Sequence, residues 1–330
     1  MPLTPSKPDQ ISPHPRPDTV SLVIPVYNEA KMLPLLRRAV EDWSESVSFH
    51  QEVILVDDGS SDGSLLFLRE WAESASWVRV LSFSRNFGHQ SAIYAGLMNA
   101  TGDVAVVIDA DLQDPLEVIP KMVERYVEGY AVVFGVREER RGESFFKRVT
   151  AWGFYRVMRR FIHPDLPLDA GDFRLVSRPV IETLRCMPER DRFLRGMFAW
   201  MGFPQTSVLY RRQERRAGET KYPLLKMVRF AYDGILSFSA APIRLIALSG
   251  ILTAGFGFAY GLYTVGRWLL VGDTVEGWPS IIVLISLIGG MILLALGVVG
   301  EYVGRIYEAI KSRPSYIVKE QINPAPKWHE

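Results

Sequence analysis

The sequence predicts a Rossmann-like α/β domain with a mostly parallel sheet, joined to a C-terminal pair of long apolar helices. Three observations lead there. Apolar, β-branched runs alternate with helix-periodic segments over the N-terminal part of the chain. Four of those runs end in clusters of polar residues, "NE", "DDGSSD", "SRNFGH" and "DADLQD". Two long uncharged runs follow near the C-terminus.

Taken in order, residues 1–19 carry Pro2, Pro5, Pro8, Pro13, Pro15 and Pro17 without the apolar stretch of a signal peptide, so a disordered leader is expected. "VSLVIPV" (Val20–Val26) reads as the first strand, and a helical pattern runs from about Glu29 to Glu45. "EVILVDDGS" (Glu52–Ser60) is a second strand ending in carboxylates, with a helix near Asp62–Glu73. "VRVLSFS" (Val78–Ser84), "DVAVVID" (Asp103–Asp109) and "YAVVFGV" (Tyr130–Val136) continue the series, and "SVLYRR" is a later strand. This α/β domain is bounded at 20–222. Ligands of such sheets bind beyond the carboxyl ends of the strands, which is where the polar clusters fall.

"LLKMVRFAYDGILSFSAAP" (Leu224–Pro242) is amphipathic, and residues 223–242 are expected to lie at a membrane interface. Leu245–Gly266 and Gly277–Gly300 are each long enough to cross a bilayer core, within a membrane region bounded at 243–305. Their glycines, from Gly250 to Gly300, suit close helix packing in lipid. Lys221, Lys226, Arg229 and Arg244 precede the first run, Arg305, Lys311 and Arg313 follow the second, and Asp273 and Glu276 lie between. Positive charge at both outer ends predicts a cytoplasmic N-terminal domain and a cytoplasmic tail, 306–330.

Composition removes several function classes. A net charge of +1 argues against broad nucleic-acid binding. The single cysteine, Cys186, excludes an internal disulfide and reads as a small core residue. No G-x-G-x-x-G follows the first strand, and no P-loop, H-E-x-x-H or C-x-x-C pattern occurs. His89 is the one histidine near a site-forming loop, and an exposed or capping role is expected for it.

"VVIDADLQDP" (Val106–Pro115) drives three carboxylates, Asp109, Asp111 and Asp114, onto one strand end. Like charges this close need a neutralising cation. With the oxygen of Gln113 they suit Mg²⁺ or Mn²⁺, which are commonly held by one or two carboxylates plus substrate phosphates. A diphosphate clamp is therefore expected. Asp114 reads as the cap of a helix opened by Pro115.

Together these residues resemble the family 2 glycosyltransferases of the GT-A fold, and among them the polyprenyl-phosphate glycosyltransferases (dolichol-phosphate mannose synthase and bactoprenol glucosyltransferase types). The likeness rests on "VIPVYNE" (Val23–Glu29), "VDDGSSD" (Val56–Asp62), "SRNFGH" (Ser84–His89), "DADLQDP" (Asp109–Pro115), "GDFRL" (Gly171–Leu175), "RRAGETKY" (Arg215–Tyr222) and "GEYVGRIYE" (Gly300–Glu308). "GDFRL" and the hairpin are most similar to the bactoprenol branch.

The resemblance implies that Pro25, Tyr27, Glu29, Asp57, Asp58 and Asp109 line a nucleotide pocket. Asp109, Asp111 and Gln113 would form the metal and diphosphate site. Arg215, Gly218, Thr220 and Lys221 would belong to a flap, with Lys221 acting on the leaving diphosphate. Asp172 would be a catalytic base or an acceptor orienter. Arg137, Lys147 and Arg148 are candidates for the acceptor phosphate, because arginine binds phosphate oxygens bidentately. The implied reaction moves a hexose, glucose from UDP-glucose by first choice, to polyprenyl phosphate with inversion, in a homo-oligomer (a tetramer fits) at the inner membrane. A processive polysaccharide synthase and a non-catalytic membrane tether stay open as alternatives. "QERRA" (Gln213–Ala217) lacks the tryptophan of the synthase motif, and the intact acidic motif weighs against a tether.

Overall fold

The computed structural model describes residues 12–137, 170–189, 192–211, 241–271 and 277–324. The chain divides into two compact units, Met1–Leu224 with Pro314–Glu330, and Leu225–Arg313.

The first unit is built on strands β1 (Thr19–Val26), β2 (His50–Asp57), β3 (Val78–Phe83), β4 (Val104–Val107), β5 (Val132–Arg137), β6 (Ala170–Ser177), β7 (Gln205–Tyr210) and β8 (Val318–Ile322), in the spatial order β7-β5-β6-β4-β1-β2-β3-β8. β2, β1 and β4 pair in parallel, as do β2 with β3 and β5 with β7. β6 is antiparallel to both β4 and β5, and β8 is antiparallel to β3. The mostly parallel α/β sheet expected from the alternation is what forms. β1, β2 and β4 are buried along nearly their whole length, as strands covered on both faces must be.

Helices α1 (Leu33–Ser46), α2 (Ser64–Ser74), α3 (His89–Asn99), α4 (Ile119–Val127), α5 (Arg178–Cys186) and α6 (Leu194–Trp200) surround the sheet. Leu22 and Ile24 of β1 share one apolar cluster with Leu36 and Trp43 of α1, Leu68 and Trp71 of α2, and Met122 of α4. Val23 points to the other face, where α3 lies so close that a Cβ on Gly96 would come within 2.2 Å of a Val23 methyl. A buried polar network ties the strand starts together. Glu52 accepts hydrogen bonds from Ser21 Oγ (2.6 Å) and Thr101 N (2.9 Å) and pairs with Arg79, which also donates to the Asn99 carbonyl (2.8 Å). Glu52→Ala would strand the Arg79 charge, whose side chain is only 8% exposed. We expect a loss of about 3–5 kcal/mol, read by chemical or thermal unfolding of the detergent-solubilised chain.

Three expectations change here. The leader is anchored at His14, whose amide donates to the Val127 carbonyl (3.0 Å) and whose ring stacks on Tyr126 (4.7 Å). Cys186 ends α5 as an exposed residue, not a core one, because that helix buries Val180, Ile181 and Leu184 instead. The segment expected as a tail carries β8, secured by Asn323 Nδ2 donating to the carbonyls of Ala72 (2.7 Å) and Val78 (2.9 Å).

The second unit contains α7 (Ala241–Val271) and α8 (Trp278–Ile310). Their stretches Leu245–Arg267 and Leu287–Ile310 are long and apolar enough to cross a membrane. The helices touch, with Thr253 Oγ1 donating to Met291 Sδ (3.3 Å). The glycines read as packing residues do not make the helix contact within this chain: a Cβ at Gly250, Gly255, Gly257, Gly261, Gly289, Gly290, Gly297 or Gly300 would meet nothing within 4 Å. The amphipathic segment 224–240 lies outside the described residues.

Candidate active site

The ends of β1 and β2 are laced into one surface. Asn28 takes a left-handed conformation (φ 55°), so the chain leaves β1 sharply. Asn28 N donates to Ser60 Oγ, Glu29 N to Ser64 Oγ and Ala30 N to Asp62 Oδ2, each at 3.0 Å. The chain then turns at Glu29, whose carbonyl accepts from Met32 N (2.8 Å) and Leu33 N (3.1 Å), and the regular helix α1 begins at Leu33 with Pro34 in its first turn. Asp62 Oδ1 also accepts from Ser64 N (3.0 Å), the first amide of α2, whose cap residue is Gly63. Pro25 is buried in the β1–β2 ladder, Tyr27 is 49% exposed at the mouth of this surface, and Glu29 is half-buried.

Asp57 and Asp58 are 1% and 3% exposed. Asp57 accepts from Ser60 N (3.1 Å) and Ser82 Oγ (2.8 Å), closing its own turn and tying β2 to β3. Asp58 accepts from the amides of Phe87 (2.6 Å) and Gly88 (2.9 Å), so it holds the "SRNFGH" loop. Burial raises the Asp58 pKa, and those two amides offset only part of that. Gly59 (φ 71°) lies between the loops, where a Cβ would sit 2.4 Å from the Arg85 carbonyl carbon. Gly59→Ala should therefore push the "SRNFGH" loop off its seat and lower turnover by about tenfold or more, measurable by steady-state kinetics beside a melting curve.

β4 delivers the acidic motif. Asp111 Oδ1 accepts from Gln113 N (3.1 Å), and Leu112 is left-handed (φ 55°), so the chain turns tightly after Asp109. Gln113 and Asp114 are buried. Asp114, expected as a cap, accepts on Oδ1 from the Tyr210 hydroxyl of β7 (2.5 Å), which ties the turn after β4 to that strand. Burial and the Asp114 charge hold the Tyr210 phenol above its usual range, while Arg137 from the end of β5 bonds to the same hydroxyl. The Arg137 Nε is buried without a partner.

The antiparallel strand β6 completes the site. Val107 pairs with Arg174, and counting two residues further along both strands sets Asp109 across from Asp172. The two carboxylates differ sharply. Asp172 Oδ1 accepts from Arg195 Nε (2.9 Å), and Oδ2 accepts from Gln90 Nε2 (3.3 Å) and lies 3.3 Å from His89 Nε2. Burial alone would raise its pKa, but the His89 bond and the charges of Arg195 and Arg174 hold it well below the usual carboxylate range. Asp109 lies 3.5 Å from His89 Nε2. Desolvation at the crowded strand end raises its pKa to about 6; His89 opposes this, and Asp114, Asp172 and Asp111 add to it. Desolvation works against the His89 imidazolium, yet the Asp172 bond and the Asp109 charge prevail, and its pKa lies above the ordinary value. Arg174 is 4% exposed, and burial pushes its pKa down to about 10 even with Asp172 nearby.

His89 thus stands between Asp109 after β4 and Asp172 of β6, and Asp111 lies two residues beyond Asp109. Lys147, Arg148, Arg215, Gly218, Thr220 and Lys221 lie outside the described residues. The geometry adds Gln90 and Arg195, which lie in none of the quoted motifs, and Arg174, the arginine of "GDFRL". Among the described residues no three metal-ligating side chains cluster. Two carboxylates suffice for Mg²⁺ or Mn²⁺ when phosphates complete the shell. Burial first, and then the charges of Asp114, Asp172 and Asp111, raise the Asp109 pKa, and a bound cation would oppose both.

Residues 21–185 match glycosyl transferase family 2. The chain is 46% identical over 300 residues to the uncharacterized glycosyltransferase YkcC of Bacillus subtilis, covering 91% of this chain and 93% of that one. It is 40% identical over 300 residues to a prophage bactoprenol glucosyl transferase homolog of Escherichia coli, covering 91% and 98%. Among solved structures, mannosyltransferase PcManGT from Pyrobaculum calidifontis is 18% identical and covers 89% of this chain and 90% of that one, with a TM-score of 0.44. The chain belongs to glycosyl transferase family 2 and is a glycosyltransferase.

Proposed function

We propose that the chain transfers a hexose, glucose from UDP-glucose, to the phosphate of a polyprenol in a single displacement with inversion. The observation that carries this reading is the placement of two unlike carboxylates on either side of His89 Nε2, Asp109 at 3.5 Å in the acidic motif and Asp172 at 3.3 Å with Arg195 Nε held on its other oxygen at 2.9 Å. One suits a metal and a diphosphate; the other suits an acceptor. Relatives named as bactoprenol glucosyl transferases support the acceptor and the sugar, since they are 40% identical over 91% of this chain.

Asp109 and Asp111 would hold Mg²⁺ or Mn²⁺, which when bound neutralises charge on a departing diphosphate. The laced ends of β1 and β2, with Pro25, Tyr27, Glu29, Asp57 and Asp58, form the nucleotide side. Arg137, Arg174 and Arg195 supply the positive charge that an ionised phosphate acceptor needs beside Asp172. A phosphate monoester has its second pKa near about 6, so at neutral pH its oxygen is already a competent nucleophile. Asp172, ionised and weakly basic, orients that acceptor and takes no proton from it. Lys147, Arg148 and the flap residues Arg215, Gly218, Thr220 and Lys221 complete the phosphate contacts in this reading.

α7 and α8 form the membrane hairpin. No part of either apolar window is buried (0% in both), and side chains such as Phe256 (69% exposed) and Leu293 (72%) need an apolar solvent around them. The basic flanks put the catalytic domain on the cytoplasmic side of the inner membrane, and the outward-facing glycines suit further copies of the chain. Cys186 supplies a topology test, being the one cysteine and exposed on the catalytic domain. A membrane-impermeant maleimide should label it only after intact cells are permeabilised.

The deciding assay supplies radiolabelled nucleotide sugars and polyprenyl phosphate to the purified chain and extracts the product into organic solvent. A lipid-linked monosaccharide supports the proposal. A long polymer would instead indicate a processive synthase, and no product with any sugar would leave a tether.

A further inference from the structure

The chain that leaves α8 touches the active site from behind before β8 begins. Tyr316 stacks on Phe83 at the end of β3 (5.0 Å between centroids, 17° between planes) and meets Tyr94 of α3 edge-on (6.4 Å, 62°). Ser315 Oγ accepts a hydrogen bond from Arg192 Nη1, and the Arg192 guanidinium lies 3.4 Å from the centre of the Tyr94 ring. The Ile317 carbonyl accepts from Ser84 N (2.9 Å), the first residue of the "SRNFGH" loop.

These contacts converge on the groups that hold Asp172. Tyr94 lies one turn after Gln90 on the same face of α3. Gln90 gives Nε2 to Asp172 and accepts the Leu194 amide on Oε1, both at 3.3 Å, so it bolts α3 to the first residue of α6. Arg192 stands three residues before Arg195, the ion-pair partner of Asp172. β8 is already secured by its ladder to β3 and by Asn323. Attachment of the strand therefore does not require the Arg192–Tyr94–Tyr316 stack.

We infer that Arg192, Ser315 and Tyr316 are positioning residues, which clamp the start of α3 to the start of α6 and so hold His89, Gln90 and Arg195 at their distances from Asp172. The inference rests on the transfer reaction proposed above. The segment following the hairpin then supports the geometry around Asp172 without touching substrate. A side chain displaced by about 1 Å at a reacting centre costs up to roughly 100-fold in rate, which is the scale on which such a clamp acts.

The test uses the full chain with Tyr316→Ala, Tyr316→Phe and Arg192→Gln. Expected are a fall in kcat of about tenfold or more for Tyr316→Ala and Arg192→Gln, nucleotide-sugar KM within about twofold of wild type, and wild-type turnover in Tyr316→Phe. Hydrogen exchange should quicken at the amides of 89–94 and 194–198 in Tyr316→Ala and stay unchanged in β1 and β2. Wild-type kcat in both truncated variants overturns the inference, as does a Tyr316→Phe defect equal to that of Tyr316→Ala. Should Tyr316→Ala not fold, Arg192→Gln carries the same comparison. If the wild-type chain yields no lipid-linked sugar, it is the proposed reaction that fails. Hydrogen exchange then decides the clamp alone, and unaltered exchange at 89–94 and 194–198 overturns it.

Discussion

Asp111→Asn is expected to lower sugar transfer by at least about 100-fold, because it removes one of two hard anionic side chains from the proposed metal and diphosphate site. The substitution is a clean one. Asp111 Oδ1 accepts the Gln113 amide at 3.1 Å, and the asparagine oxygen can accept the same bond. The left-handed Leu112 turn should therefore survive, and what disappears is charge. Calorimetric titration of Mg²⁺ or Mn²⁺ into the chain with UDP present should show weakened metal-dependent nucleotide binding, with an unchanged melting curve. Wild-type turnover at saturating Mg²⁺ would take Asp111 out of the metal site.

The acidic strand end was legible because its parts are contiguous. Three carboxylates after a β-branched run can be read without any knowledge of pairing, as can the parallel strands and the two apolar helices. Start points of helices were harder. α1 begins at Leu33 with Pro34 in its first turn, and before it Asn28, Glu29 and Ala30 bond Ser60, Ser64 and Asp62, residues more than thirty positions away. A periodicity argument sees the helical pattern at Glu29 but not the left-handed Asn28 and the turn that follows it.

The acceptor side was hidden for the same reason on a larger scale. "GDFRL" meets "DADLQD" only because β6 inserts antiparallel between β4 and β5, and its register decides that Asp172 faces Asp109. Arg195 and Gln90 come from helices on different connections, and in sequence each is an ordinary polar residue of an amphipathic segment. His89 was visible as a loop histidine, yet its place between two carboxylates depends on three strand ends at once. The run from Ser315 to Ile322 has no strong strand pattern and forms β8 because the edge of β3 is available to it.

Asp172→Asn separates an orienting carboxylate from a base. Donor binding should persist, because the Asp172 contacts lie with α3 and α6 and not with the laced ends of β1 and β2. Transfer should fall by about 100-fold, since the amide cannot hold Arg195 and His89 in place as a charged carboxylate does. A proton acceptor whose own pKa lies far below the usual range is a weak base, so deprotonation of the lipid phosphate is not its task. Raising the pH from about 6 to about 8 should leave the defect of the variant unchanged, although the phosphate loses its second proton across that interval. Partial rescue toward the wild-type rate would make Asp172 a base after all. Stability supplies an independent check with a definite sign. A folded pKa below the unfolded value of about 3.9 means that the Asp172 charge stabilises the native chain above that pH, and the benefit is lost as pH falls through the depressed value. The gap in melting temperature between wild type and Asp172→Asn should accordingly narrow as pH rises through the raised pKa of His89, whose charge Asp172 supports, keep its Arg195 part up to about pH 8, and close fully only in strong acid. A gap that instead widened with rising pH across that range would mean that Asp172 still titrates there, and the ion pair with Arg195 would not be what sets its charge.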